Sequence, residues 1–294
     1  MSLGLVLPTW EQAIGNETSV AHFGDQVAIA KLAAEIGYDV VWLPDHFITQ
    51  EGQTVRGVWD CWTLAAGIAA AVPGMAIGTM VACTSFHNPG SIAKMAEMLS
   101  DITGGNFVLG LGPGWHEPEF TMFGFPYDHL VGRFEEALQI ISPLVRTGNA
   151  SFAGQYYDAR DAVNLPRSAA RQEGGPPIVI GSEQPRMLRL TARYADAWDA
   201  DWQEDPQALI ARMNEACREV GRDPEGLLRT GGTQFAMGDH PQGWHPFRGS
   251  HDEMVAVMHA AAAHGLRNFR ATPTPCTLTT LADFGEVIAA FDQG

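Results

Sequence analysis

Short apolar runs alternate with longer segments whose apolar residues recur every three to four positions. Residues 3–8 (LGLVLP), 40–47 (VVWLPDHF), 76–82, 107–112, 177–181 (PIVIG), 197–199, about 229–237 and 267–271 read as strands. Residues 22–36 carry Val27, Ala30, Leu32, Ala33 and Ile36 at helical spacing, and Gly37 ends that helix. Further helices are expected over 61–72, 90–102, 129–146, 184–195, 206–220, 251–264 and 279–291. The 129–146 helix places Phe134, Leu138, Ile141 and Leu144 along one face.

The strands lack apolar–polar alternation, which implies a parallel sheet covered on both faces. About eight strand–helix units in one chain predict an α/β fold, a single (β/α)8 TIM barrel formed by one domain over residues 1–294. Its site would lie at the C-terminal ends of the strands. The rival is an open, doubly wound sheet, but the first strand–helix loop has no G-x-G-x-x-G. Residues 147–176 are long for a barrel connection and read as an irregular excursion near the barrel mouth.

Composition narrows the function. The 294 residues are 46% hydrophobic and 18% charged, with a formal net charge of −16. That balance argues against nucleic acid or an anionic membrane surface as partner. Cys61, Cys83, Cys217 and Cys276 show no CxxC spacing, so reduced thiols and a cytoplasmic location are expected. The N-terminus (MSLGLVLPTW) has no basic region and too short an apolar run for a signal peptide. No charged side chain occurs from Cys61 to Ala82, but Pro73-Gly74 interrupts the stretch, which reads as helix, turn and buried strand rather than a membrane span.

Chemistry is expected where strands end in polar residues: Asp45 and His46; His87 and Asn88; Trp115, His116, Glu117 and Glu119; Ser182, Glu183 and Gln184. Each has a plainer alternative. His87-Asn88-Pro89 also reads as a helix cap, Glu117 and Glu119 as solvated first-turn carboxylates, and Ser182 as a cap. His46, His87, His116 and Glu117 could supply metal ligands, but no HExxH spacing or carboxylate cluster supports that, so no metal site is assigned. A metal-dependent barrel hydrolase is the more remote alternative. The absence of G-x-S-x-G leaves serine nucleophile chemistry weaker still. Gly181-Ser182 ends a buried strand just before a helix, where free N–H groups and the helix dipole make a phosphate site.

Several segments together resemble the bacterial luciferase-like flavin oxidoreductases. They are VVWLPDHF, the 77–126 run with HNP and LGLGPGW, RFEEALQII, FAGQYY, and PPIVIGSEQPRMLRLTARYADAWD at 176–199. The resemblance implies a TIM barrel with a flavin-type cofactor at its mouth. DHF at 45–47 and GPGWHEPE look most like members using the deazaflavin coenzyme F420, which move a hydride to and from C5 of the ring. FMN-dependent monooxygenases are the alternative. That branch often carries a Tyr shortly before the helix arginine, where Val131 precedes Arg133 here.

By the same resemblance, His46 is catalytic, with Glu117 in reserve. Asp45, His46, Met80, Val81, Gly112, Gly114, Trp115, Gly181, Ser182, Glu183 and Gln184 would bind the cofactor. Met80-Val81 matches a bulge, often with a cis peptide, that backs the ring. Glu183 stands where many relatives have Gly or Ser. Gly110, Gly112 and Gly114 are read as letting the backbone approach a planar ring. The expected partners are a small, neutral or hydrophobic substrate and a second copy in a homodimer.

Overall fold

The computed structural model describes residues 1–14, 17–170, 172–201, 206–238 and 245–293. Eight parallel strands close into a barrel: β1 (Ser2–Val6), β2 (Val40–Leu43), β3 (Ala76–Thr79), β4 (Phe107–Gly112), β5 (Ile178–Gly181), β6 (Ala197–Asp201), β7 (Leu228–Ala236) and β8 (Leu266–Thr274). Each strand pairs with the next, and β8 returns to β1 through Leu3↔Phe269. Closure settles the choice against the open sheet.

Nine helices among the described residues surround the barrel. They are α1 (Phe23–Ile36), α2 (Cys61–Ala71), α3 (Pro89–Ile102), α4 (Glu117–Phe123), α5 (Leu130–Arg146), α6 (Pro185–Tyr194), α7 (Gln207–Glu219), α8 (His251–Ala263) and α9 (Leu278–Asp292). Their starts follow local chemistry. Asp60 accepts the Thr63 N–H at 2.7 Å, Asn88 accepts that of Gly90 at 2.9 Å, and Ser250 and Glu253 form a reciprocal capping box. Gly37, at φ 106°, ends α1 in the left-handed region that glycine adopts without a Cβ clash.

The missing alternation has a structural cause. Outward-facing Leu5, Val41, Leu43, Ile77, Phe107, Leu111, Ile178 and Ile180 pack under the helices. Inward-facing Val40, Trp42, Val179 and Ala197 fill the barrel with Val6, Ala76, Met80 and Val108. Both faces of these strands are therefore apolar. Trp42 takes the space that its flanking strands leave empty. A Cβ on Gly4 would lie 2.4 Å from its indole Nε1, and one on Gly78 would lie 2.2 Å from its ring.

Several details depart from the expected elements. The 40–47 run is strand only to Leu43, and an antiparallel hairpin, Ile48–Glu51 with Thr54–Gly57, follows it. Strand 76–82 breaks at a cis peptide between Met80 and Val81, then resumes at Ala82–Cys83 beside Leu111 and Gly112. The 147–176 stretch is more regular than expected. Asn149–Ala153 and Asp158–Val163 pair as an antiparallel hairpin whose turn rests on α5, where Glu136 accepts the N–H groups of Gln155, Tyr156 and Tyr157. Buried Asn164 then ties the chain to the Ala93 and Leu144 carbonyls, joining it to α3 and α5.

Candidate active site

The site is assembled from the ends of β2 to β5. His46 follows β2, and its Nδ1 lies 2.7 Å from Glu119 Oε1 on α4. Glu119 is only 1% exposed, and its other oxygen accepts the Phe47 N–H at 2.9 Å. A buried carboxylate needs such donors, because desolvation otherwise disfavours its charge. The carboxylate can only accept, so a neutral His46 bonded to it carries its proton on Nδ1 and leaves the Nε2 lone pair free. Trp115 and His116 stand edge-on to the His46 ring, with centroids at 5.8 and 6.5 Å. Trp115 is 70% exposed, an unusual position for an indole.

Asp45 faces another way. Its carboxylate is buried, accepts the Cys83 N–H at 2.9 Å and lies 3.0 Å from His87 Nε2. It thus joins the end of β2 to the segment just after the Met80-Val81 bulge. His87 is part of this brace, while its neighbour Asn88 is the α3 cap that the plainer reading allowed. Glu117 sits exposed in the first turn of α4, and it is Glu119, two residues further, that meets His46. The signal for Glu119 was faint: it adjoins Phe120, and both are buried on one side of α4.

The glycines serve the protein's own packing. A Cβ on Gly110 would meet the Thr79 carbonyl oxygen at 1.9 Å, and one on Gly112 would meet Val81 Cγ2 at 2.6 Å. Gly114, at φ 85°, would press on Cys83 Sγ and Phe120. These contacts give the glycines a packing role of their own, whatever else the backbone meets. β4 needs them to lie against the broken β3.

At the end of β5, Gly181 and Ser182 are partly exposed and Glu183 and Gln184 exposed. Trp198 Nε1 donates to the Ser182 carbonyl at 2.7 Å, and the Ser182 hydroxyl lies 3.0 Å from that of Thr191. Gln184 occupies the N-cap of α6 without a side-chain cap bond, and a Cβ on Gly181 would meet nothing nearer than 3.9 Å. Uncapped N–H groups beside an open glycine suit a phosphate. Arg133 is already bonded to Asp128 at 2.8 Å and lies over the Tyr156 ring at 4.5 Å.

All four cysteines are free and buried, and burial pushes the Cys83 thiol up to about 12. Among the described residues no three His, Cys, Asp or Glu side chains gather as a metal site, and no helix is long and apolar enough to cross a membrane.

A closed barrel with a histidine–carboxylate pair, a broken third strand and a bare helix N-terminus at one mouth defines a luciferase-like architecture. The chain belongs to the luciferase-like monooxygenase family, whose model matches residues 1–273. It is 29% identical over 191 residues to an F420-dependent glucose-6-phosphate dehydrogenase of Amycolatopsis mediterranei, covering 63% of this chain and 56% of that protein. It is 28% identical over 229 residues to the pyrimidine monooxygenase RutA of Enterobacter cloacae, covering 74% and 58%. The chain thus spans little more than half the length of these curated relatives. Among solved structures, an F420-dependent secondary alcohol dehydrogenase holding an F420-acetone adduct superposes with a TM-score of 0.81 at 18% identity, covering 99% of this chain and 98% of the other. The EDTA monooxygenase of Chelativorans sp. BNC1 also reaches 0.81, at 15% identity, covering 100% and 93%.

Proposed function

We propose that this protein is an oxidoreductase that transfers a hydride between a deazaflavin of the F420 type and a small, neutral or apolar organic substrate. The single observation that carries the reading is His46, fixed by buried Glu119 with its Nε2 free at the end of a barrel strand. Met80-Val81, the Gly112–Trp115 loop and the Gly181–Gln184 turn would hold the cofactor, with its phosphate at the start of α6. When bound, a deazaflavin gives or takes hydride at C5 of its ring.

The protein's own part is proton management. His46 Nε2 accepts the proton of a substrate hydroxyl as the carbon is oxidised, or returns it to a carbonyl oxygen in the reverse direction. Glu119 stabilises the imidazolium that forms and holds the ring in place. Trp115 supplies an apolar wall that keeps water from the reacting carbon. Val131, standing before Arg133 where FMN-dependent relatives often carry a Tyr, favours the deazaflavin over FMN in this reading. A single domain over 1–294, a homodimer and a cytoplasmic location complete it.

The test is a titration of the protein with F420 and, separately, with FMN. Tryptophan quenching is the readout, because Trp115 lies beside His46. Tighter F420 binding, followed by chelator-insensitive turnover of simple secondary alcohols or ketones, is expected. Tighter FMN binding with oxygen consumption would instead make the protein a monooxygenase.

A further inference from the structure

The inner face of the barrel changes character around its circumference. On β2 to β5 it is lined by valine, alanine and tryptophan. On β6 to β8 it carries Asp199, Gln234, Arg270, Thr272 and Thr274. There a cavity of about 330 Å³ opens between β1 and β6–β8, bounded by Val6, Asp201, Gln234, Arg270 and Thr272. It faces the half of the strand-end ring not used by His46, Met80-Val81 or Ser182.

Arg270 and Asp199, both under 10% exposed, form an ion pair, and Thr230 donates to the same Asp199 oxygen at 2.7 Å. A second guanidinium nitrogen of Arg270 lies 3.5 Å from Asp201, whose side chain is 90% exposed. Well-packed apolar side chains commonly match or exceed such a buried pair in stability. The fold alone therefore gives little reason for charge here. The described hydrogen bonds also leave valences open. The Thr272 hydroxyl accepts from the Val6 N–H at 3.2 Å, and its own proton is not used. Gln234 Oε1 accepts from Thr274, which leaves the Nε2 donors for a ligand.

We propose that this cavity is the substrate-recognition subsite and takes a neutral head group with an acceptor beside a donor, such as a primary carboxamide or a vicinal diol. The acceptor would receive Thr272, Gln234 and Arg270, and the donor would meet Asp201. Arg270 is already paired with Asp199 and Asp201, so its charge is compensated and a carboxylate or phosphate gains little although donors abound; His245 also lines the cavity. The proposal rests on the oxidoreductase reading only in treating the barrel mouth as the substrate chamber.

Four probes share one ring and differ in head group: cis-cyclohexane-1,2-diol, cyclohexanecarboxamide, cyclohexanecarboxylate and cyclohexylammonium. Binding to the full chain is followed by protein-observed NMR, with and without F420. The diol or carboxamide is expected to bind about tenfold or more tighter than the carboxylate, with shifts centred on Thr272 and Gln234. Thr272→Val should weaken that probe about 3- to 10-fold, the worth of one neutral hydrogen bond. Asp201→Asn, at an exposed side chain, should leave the fold intact by circular dichroism and narrow the gap to the carboxylate. The carboxylate or the ammonium binding tightest, equal binding by all four, or no binding at tens of millimolar would each overturn the proposal. F420 titration in the same samples separates the two ideas. Lost cofactor binding with the probe order intact refutes the oxidoreductase reading, while cofactor binding with a scrambled probe order refutes the subsite.

Discussion

Replacing Glu119 with Gln keeps the shape of the side chain and removes its charge. The wild-type carboxylate accepts from His46 Nδ1 at 2.7 Å and from the Phe47 N–H at 2.9 Å. An amide cannot keep both bonds unchanged. If its oxygen stays with His46, its NH2 group faces the Phe47 N–H, donor against donor. If its NH2 group turns to His46, Nδ1 must become the acceptor and the proton moves to Nε2, the wrong tautomer for a base. A hydrogen bond involving a charged group is worth about 1.5–3 kcal/mol, and about 1.4 kcal/mol corresponds to a factor of ten. The carboxylate matters most once His46 is protonated, so the loss should fall on turnover. A drop in kcat of about 10- to 150-fold is expected, with little change in F420 affinity. Anaerobic stopped-flow absorbance of the deazaflavin gives kcat, fluorescence titration gives the dissociation constant, and 15N shifts of the His46 ring report the tautomer. Unchanged kcat with a shifted tautomer would refute the role given to Glu119. A parallel loss of cofactor binding would mark Glu119 as only a structural brace.

His46→Ala should keep the fold and most of the cofactor affinity and lose about 10²–10⁴-fold in turnover, the span of a general acid or base; near-normal rates would remove it from the mechanism. Ser182→Asp puts a negative charge beside the proposed phosphate turn and should weaken F420 binding by about tenfold or more, as a like charge at close range in a partly screened site does; unchanged affinity in the same titration would move the phosphate elsewhere. Gly110→Ala forces a methyl group against the Thr79 backbone carbonyl and should cost about 3 kcal/mol or more in urea unfolding, because overpacking against backbone has no easy relief. Burial pushes the Cys276 thiol, like that of Cys83, up to about 12 from an ordinary value near 9. The unfolded chain therefore ionises first, so these thiols' contribution is full below pH 9 and lost as pH climbs toward 12, at about 1.4 kcal/mol per unit per thiol. Urea melts at stepped pH should show a shallower decline for Cys276→Ala, and an identical slope would contradict the burial argument.

The local sequence determined much of the architecture. Apolar runs ending in proline, glycine or charge mark the barrel strands, and their lack of alternation already states that both faces are covered. Helical spacing, Gly37 and the Asn88-Pro89 start need only neighbours in the chain, and the structure places them as read. The Gly181-Ser182 turn was legible in the residues themselves, the broken third strand only through family resemblance, and the strand break is a cis peptide at Met80-Val81.

Tertiary structure decided the partners. Glu117 and Glu119 are two positions apart and chemically alike, yet two steps of a helix turn a side chain by about 200°. Only the packing of α4 fixes which one reaches His46, 73 residues away in the chain. Asp45 adjoins His46 but points to the opposite face of the strand end, where a backbone N–H and His87 await it. The glycines of β4 answer to atoms of β3, more than two dozen residues earlier, that no local pattern names. Arg270 and Asp199 meet across 71 positions because barrel closure sets β6 and β8 to either side of β7. Periodicity records which residues are buried, whereas pairing between distant groups depends on register and closure, which exist only once the chain has folded.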